Sequence, residues 1–377
     1  MSFAFTEDQQ LLAESADRFL ADKYDFDARK AIRRGEDGWS REMWAAFAEL
    51  GWLALPLPEE HGGLGGSTVD LAVLMERFGR HLVVEPFLAT VVLGAEAIAR
   101  AGSDEQKAAI LPAVAEGGVR LAFGVNEPRA RFDLHRVATT AAREGGGWTL
   151  SGHKAVVLHA DAADRLILAA RTAGAEDDRD GITLFLVDPQ ADGVTLRPYP
   201  TVDGLRGAEV LLDGVSVSEA DVVGGVGAGL PVIEAVVDRA MVLLSAESVG
   251  AMAETVRLTT EYLKTRVQFG QPLSSFQVLQ HRLVEMLQAK EFAHALCYRA
   301  AGAMDTTEGV ERARAAAGIK AETGRAGKMI GQESIQLHGG MGMTDEMAVG
   351  HYFKRMTMID TQFGNAAHHL RRFATLA

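Results

Sequence analysis

The chain has 377 residues, 47% of them apolar, with a formal net charge of -13 and an isoelectric point near 5.4. That length and apolar content support a large buried core and fit two or three packed units better than one. The acidic balance excludes broad electrostatic attraction to nucleic acid or to an anionic membrane, so a polyanionic ligand has to meet locally placed cations.

Residues 1–9 are acidic and lack a basic stretch followed by an apolar core, which is not the pattern of a signal peptide. The apolar runs are too interrupted to cross a bilayer. With one cysteine, Cys297, neither an internal disulfide nor a multi-thiolate metal cluster can form. Its setting between Leu296 and Tyr298 in a helical pattern makes it a core residue, and the reducing cytoplasm is the expected compartment.

Thr6 and Gln9 are spaced as a capping box, and Leu11, Leu12, Phe19 and Leu20 then fall on one helical face. Helical patterning continues with breaks to about Leu111-Pro112. The break Pro58-Glu59-Glu60-His61-Gly62-Gly63-Leu64-Gly65-Gly66 lacks a preceding strand at dinucleotide-binding spacing, so it reads as a loop between helices rather than a phosphate cradle. From about Val119 to Val217 the period shortens, and residues 148–152, 166–168, 182–187 and 210–212 read as strands between Gly and Asp turns. The charged run from Glu176 to Gly181 is a solvated hairpin loop rather than a metal site.

After the glycine-rich stretch of residues 224–229, Pro231 stands at a first-turn position and a long helix runs toward Thr265. Further helices start near Ser275 and Glu308. Helices, then strands, then helices make an α+β chain. The limits are an N-terminal helical domain over 1–117, a middle β-domain over 118–222 and a C-terminal helical bundle over 223–377.

Two stretches carry chemistry. Arg266-Val267-Gln268-Phe269-Gly270, followed by Phe276-Gln277, is a turn between long helices. Its arginine has a planar fork suited to phosphate, and the same residues also fit a helix C-cap, with a cation at the helix end and Gly270 just after it. The second stretch runs from Ser334 through Gln336-Leu337-His338-Gly339-Gly340 to Thr344, then Tyr352-Phe353-Lys354-Arg355, then Gln362-Phe363-Gly364-Asn365.

Together these segments, with residues 58–63, closely resemble the flavin-dependent acyl-CoA dehydrogenases over nearly the whole chain. The resemblance implies an N-terminal helical domain, a middle β-barrel domain and a C-terminal four-helix bundle. It also implies FAD, an acyl-CoA substrate, an acceptor such as an electron-transfer flavoprotein, and assembly as a dimer of dimers. By the same resemblance, Arg266, Phe269, Gln277, Gln336, Gly339 and Gly340 reach across a subunit interface to the diphosphate and adenosine of a neighbour's FAD.

Other positions depart from the family. Its proton-abstracting glutamate lies where this chain has Phe363, and a phenyl ring accepts no proton. In the β-domain Glu127-Pro128 and Lys154 keep the frame, but the family's Thr, Gly-Ser, Trp and second Thr are Asn126, Arg131-Phe132, Val156 and Leu158. These changes remove hydroxyl donors and a stacking face from the flavin-ring side.

A base could have moved. The position used by some members on the long helix is Ala240 here, whereas Glu247 lies about two turns further on among Leu243, Leu244, Ala246 and Val249. The competing role for Glu247 is an acid satisfied by a nearby arginine. Asp360 is a second acid near the site, and His368 and His369 read as exposed residues of an amphipathic tail.

Three readings follow. The chain resembles the base-lacking small subunit of heteromeric bacterial enzymes of the pimeloyl-CoA dehydrogenase type, completing a homologous catalytic subunit's FAD site. Alternatively it is a homomeric dehydrogenase with Glu247 as relocated base, or a flavin-free structural homologue.

Overall fold

The computed structural model describes residues 5–376, so the first four residues of the N-terminal stretch lie outside it. The first helices are α1 (Glu7–Lys23), α2 (Phe26–Arg34), α3 (Arg41–Glu49) and α4 (Thr68–His81). A π-helical segment, Leu88–Ala95, runs into α5 (Glu96–Ala101), and α6 (Asp104–Ala115) follows. The strands are β1 (Leu121–Gly124), β2 (Thr140–Glu144), β3 (Gly147–Leu158), β4 (Arg165–Arg171), β5 (Ile182–Val187), β6 (Val194–Pro200), β7 (Arg206–Ser218) and β8 (Val222–Val223). The last part holds α7 (Gly229–Thr265), a hairpin of β9 (Val267–Gln268) and β10 (Gln271–Pro272), then α8 (Gln277–Met304), α9 (Gly309–His338), α10 (Ala348–Thr361) and α11 (Ala366–Thr375). Among the described residues no helix is long and apolar enough to cross a membrane.

Contacts group the chain into two units, and the first comprises residues 1–31, 67–83 and 241–377. The Thr6 capping box forms as the spacing predicts: Gln9 N–H donates to Thr6 Oγ1 at 3.2 Å and Thr6 N–H to Gln9 Oε1 at 3.1 Å. α4 and α7 cross through glycines. A Cβ on Gly79 would stand 1.8 Å from the Glu247 carbonyl oxygen, and one on Gly250 would stand 1.8 Å from that of Glu76. α10 lies against α9 in a similar way. Cβ atoms on Gly324 and Gly331 would meet Asp360 at 2.1 Å and the Phe353 ring at 2.4 Å. Small residues at helical spacing thus let helix backbones approach closely. Cys297 is fully buried, and burial pushes its thiol far up, as suits a core residue.

The second unit comprises residues 32–66 and 84–240. Its sheet is mixed, with strand path β6–β7–β3–β2–β4–β5–β8, and β1 is added parallel to β4. Trp148, Leu150, Leu168, Phe185, Val210 and Val215 face one core, with Trp148 edge-on to Phe185 at 5.7 Å. The charged 176–181 loop is organised from beneath by Arg171, whose guanidinium donates to the carbonyls of Val137, His135, Glu176, Asp178, Asp180 and Ala173. A register irregularity between Lys154 and Val157 marks the strand pair β3–β7.

Candidate functional site

In the first unit, α7 ends and the chain returns at once through the β9–β10 hairpin. Its two-residue turn is Phe269 and Gly270, at φ +54° and +80°, the type I′ geometry whose twist suits a short hairpin. Gly270 therefore serves the hairpin and does not cap α7. Arg266 N–H donates to Tyr262 O at 2.8 Å and Arg266 O accepts from Leu273 N–H at 2.9 Å. Its backbone is thereby fixed, while its guanidinium is exposed and has no protein partner among the described residues. Phe269 is 90% exposed, an aromatic ring whose burial elsewhere is worth about 2 kcal/mol.

The second motif stands at the same end of the bundle. Tyr262 stacks on His338 with ring centroids 4.3 Å apart, and Arg282 pairs with Glu333 at 2.6 Å, tying α7 and α8 to the end of α9. Gln277, Gln336, Gly339 and Gly340 are exposed there. A Cβ on Gly339 or Gly340 would meet nothing within 4 Å, so the backbone is open to close approach by a ligand. Buried His338 is shifted downward by burial, against the pull of the Ser334 carbonyl on Nδ1 at 2.8 Å.

The turn carrying Phe363 follows α10. Phe363 adopts φ +56° and Gly364 φ +115°. A Cβ on Gly364 would lie 2.6 Å from His369 Nε2, so glycine is required. Asp360 Oδ1 accepts Ala366 N–H at 2.9 Å, and the Asn365 side chain caps α11 by accepting His368 N–H at 2.9 Å. His369 is not exposed, as its place on an amphipathic helix predicts, but 1% accessible. Its Nε2 contacts Phe363 O at 2.9 Å, and burial next to Lys320 lowers its pKa to about 3. His368 is half-buried against it. An open depression of ≈ 550 Å³ borders the turn, lined by Arg325, Lys328 and Gln332 of α9 and by Asn365, Ala366 and Leu370.

The buried Lys320 was not singled out from the sequence. Its signal was a lone cation within the otherwise small and apolar run Ala316, Ala317, Ile319, Thr323, Gly324. Its Nζ donates to the carbonyls of Ile359, Asp360 and Gly364 at 2.7, 2.8 and 2.8 Å.

Glu247 is 4% exposed and engaged at both oxygens. Arg355 Nε donates to Oε1 at 2.5 Å and Nη2 to Oε2 at 2.7 Å. This bidentate pair is the arrangement of a satisfied buried acid.

In the second unit, Glu127 accepts Lys154 Nζ at 2.6 Å and the N–H groups of Ala138 and Thr139 at 2.7 and 3.0 Å. Burial pushes Glu127 up, but Lys154 and these donors outweigh it and hold the carboxyl below its usual range. Asn126 O accepts Ala155 N–H at 2.9 Å, and Leu158 is buried. Arg131 and Val156 both sit at left-handed φ, +52° and +53°, and Val156 is 41% exposed. For a β-branched residue that conformation is strained, and such strain concentrates at binding sites. Glu209 supports the Val156 bulge, accepting its N–H at 3.4 Å together with Tyr199 OH at 2.7 Å, and contacting His153 Nε2 at 2.7 Å.

Three family models match in order along the chain: the N-terminal domain of acyl-CoA dehydrogenases over residues 6–118, the middle domain over 122–215 and the C-terminal domain over 227–375. A probable acyl-CoA dehydrogenase of Bacillus subtilis (strain 168) is 30% identical over 93% of this chain and 92% of its own length. The acyl-CoA dehydrogenase FadE28 of Mycobacterium tuberculosis is 32% identical over 87% and 90%. Among solved structures, a variant of the Tcur3481–Tcur3483 steroid ACAD is 29% identical with TM-score 0.88, covering 98% of this chain and 97% of that one. The FAD complex of PigA is 26% identical with TM-score 0.90, covering 100% and 98%. With the three domains matched in sequence and the α+β architecture shared end to end, the chain belongs to the acyl-CoA dehydrogenase family of flavin-dependent oxidoreductases acting on acyl-CoA thioesters.

Proposed function

We propose that this chain is the base-lacking subunit of a heteromeric acyl-CoA dehydrogenase, of the kind exemplified by the pimeloyl-CoA dehydrogenase small subunit. In this reading it completes a homologous catalytic subunit's FAD site. The observation that carries it is the turn at residues 362–365, which keeps a fixed backbone but presents Phe363 in place of a carboxylate. The nearest acid in sequence, Asp360, already accepts the first amide of α11.

The residues of the bundle tip fit the distal half of FAD. Arg266 offers an exposed guanidinium for a diphosphate, Gly339 and Gly340 allow close backbone approach, and exposed Phe269 offers an apolar face. The flavin-ring side fits less well, since Val156 and Leu158 supply neither hydroxyl nor stacking ring. FAD held there would supply the acceptor for hydride from the substrate β-carbon, and an electron-transfer flavoprotein suits the role of onward acceptor. Removing the α-proton needs a base near the thioester, and that step falls to the partner. The pairing of two components in the name of the steroid ACAD relative supports such a division. Glu247 as relocated base draws no support from its bidentate pairing with Arg355.

The test is purification of the chain alone and together with a homologous partner, recording the flavin absorbance and acyl-CoA turnover of each. Colour and turnover only in the co-purified complex are expected. A yellow, active preparation of this chain alone would overturn the subunit reading.

A further inference from the structure

Lys320 is wholly buried on α9, and each of its three N–H donors meets one carbonyl. Two of these carbonyls, Ile359 and Asp360, belong to the last turn of α10, where the helix dipole is negative and a cation is favoured. The third, Gly364, lies beyond the turn, so a single ammonium ties both sides of Phe363 together. From α11, His369 Nε2 meets the Phe363 carbonyl itself. Between these ties Phe363 is held left-handed, which costs a non-glycine residue about 1–2 kcal/mol. A strained residue bracketed by buried polar contacts is held there by its surroundings.

We propose that Lys320 is the positioning residue of the turn: it fixes the backbone at position 363 and so sets where that side chain is presented on the substrate side. This rests on the family reading of position 363. Losing a proton leaves two donors for three carbonyls, so the clamp is proton-linked. The charged and titratable groups around it are Asp360 on α10 and His368, His369 and Arg372 on α11. α7 meets this stretch of α9 with the uncharged Ser245, bonded to Thr323. Burial lowers the pKa of Lys320 to about 7, with Asp360 acting upward. The three carbonyls also favour the protonated form.

Hydrogen exchange of the full chain, followed by mass spectrometry from about pH 6 to 10, tests this without flavin or partner. In Lys320→Met the peptide over 361–366 is expected to exchange on the order of tenfold faster, while α7 peptides do not change. In the wild type the same peptide should show a step with rising pH, beyond base catalysis, that the variant lacks. Equal exchange in both proteins, or the same smooth pH line, overturns the proposal. Should Lys320→Met lose protection everywhere, the wild-type step decides, since its absence relative to α7 also overturns the clamp. A chain found active alone would sink the subunit reading and leave this result standing.

Discussion

At the scale of single residues, Glu247 and Arg355 are worth more for the bundle than for chemistry. Their bidentate contact lies almost wholly out of solvent. Removing one partner strands the other charge, whereas replacing both with apolar groups removes the desolvation cost as well. Glu247→Ala is therefore expected to lower stability by about 3–5 kcal/mol in urea denaturation, and the double change Glu247→Leu, Arg355→Leu to recover most of it. A single variant as stable as the wild type would rule out a structural role. The pair was half legible in the sequence: apolar neighbours at helical spacing marked Glu247 as buried, but Arg355 is 108 residues away and no local pattern links them. Phe363 stood out in the sequence by its place in a motif alone. Its left-handed backbone was not, because glycine or asparagine would be the usual signal for that conformation.

Among the elements, contact through glycine decides the packing of α4 on α7. Alanine at position 250 gains about 1 kcal/mol of helix propensity over glycine. It also forces a methyl group to within 1.8 Å of the Glu76 carbonyl oxygen, a backbone atom that no rotamer change can move. Overpacking of this type costs about 1–3 kcal/mol or more and outweighs propensity. The expected result is a lower thermal midpoint for Gly250→Ala, and an unchanged or higher midpoint would refute the close crossing. Long periodic elements were legible: the first helix with its capping box, α7 to Thr265, and the strands at residues 182–187 and 210–212. Of those missed, three have plain physical reasons. β1 is buried at every residue and shows no alternation, β6 contains two prolines and is mostly exposed, and β8 has two residues. Each takes its identity from a neighbouring strand rather than from its own pattern.

For the whole molecule, acid stability should reflect histidines that stay neutral when folded. His369 is held down to about 3 by burial and nearby cations. Unfolded, it takes a proton at about pH 6.5, so the unfolded state binds more protons in between and stability falls as pH falls through that window. Its contribution amounts to about 3 kcal/mol by pH 4. His369→Gln should flatten the fall in urea-derived stability between about pH 6.5 and 4, and an identical slope in both proteins would refute the assignment. Fold class and family were legible because two motifs occur in the right order over nearly the full length. Residues 67–83 group with residues 241–377 while their sequence neighbours on both sides group elsewhere, a grouping no local pattern marks. The two-residue hairpin after α7 has a kinetic corollary. Its type I′ turn leaves no slack in the backbone between α7 and Phe269, so the backbone ordering entropy of this tip is lost during folding, while the exposed side chains of Arg266 and Phe269 keep theirs. If the tip binds as proposed above, its backbone needs no reordering at encounter, and changes at Phe269 should show mainly as altered residence time rather than altered capture rate.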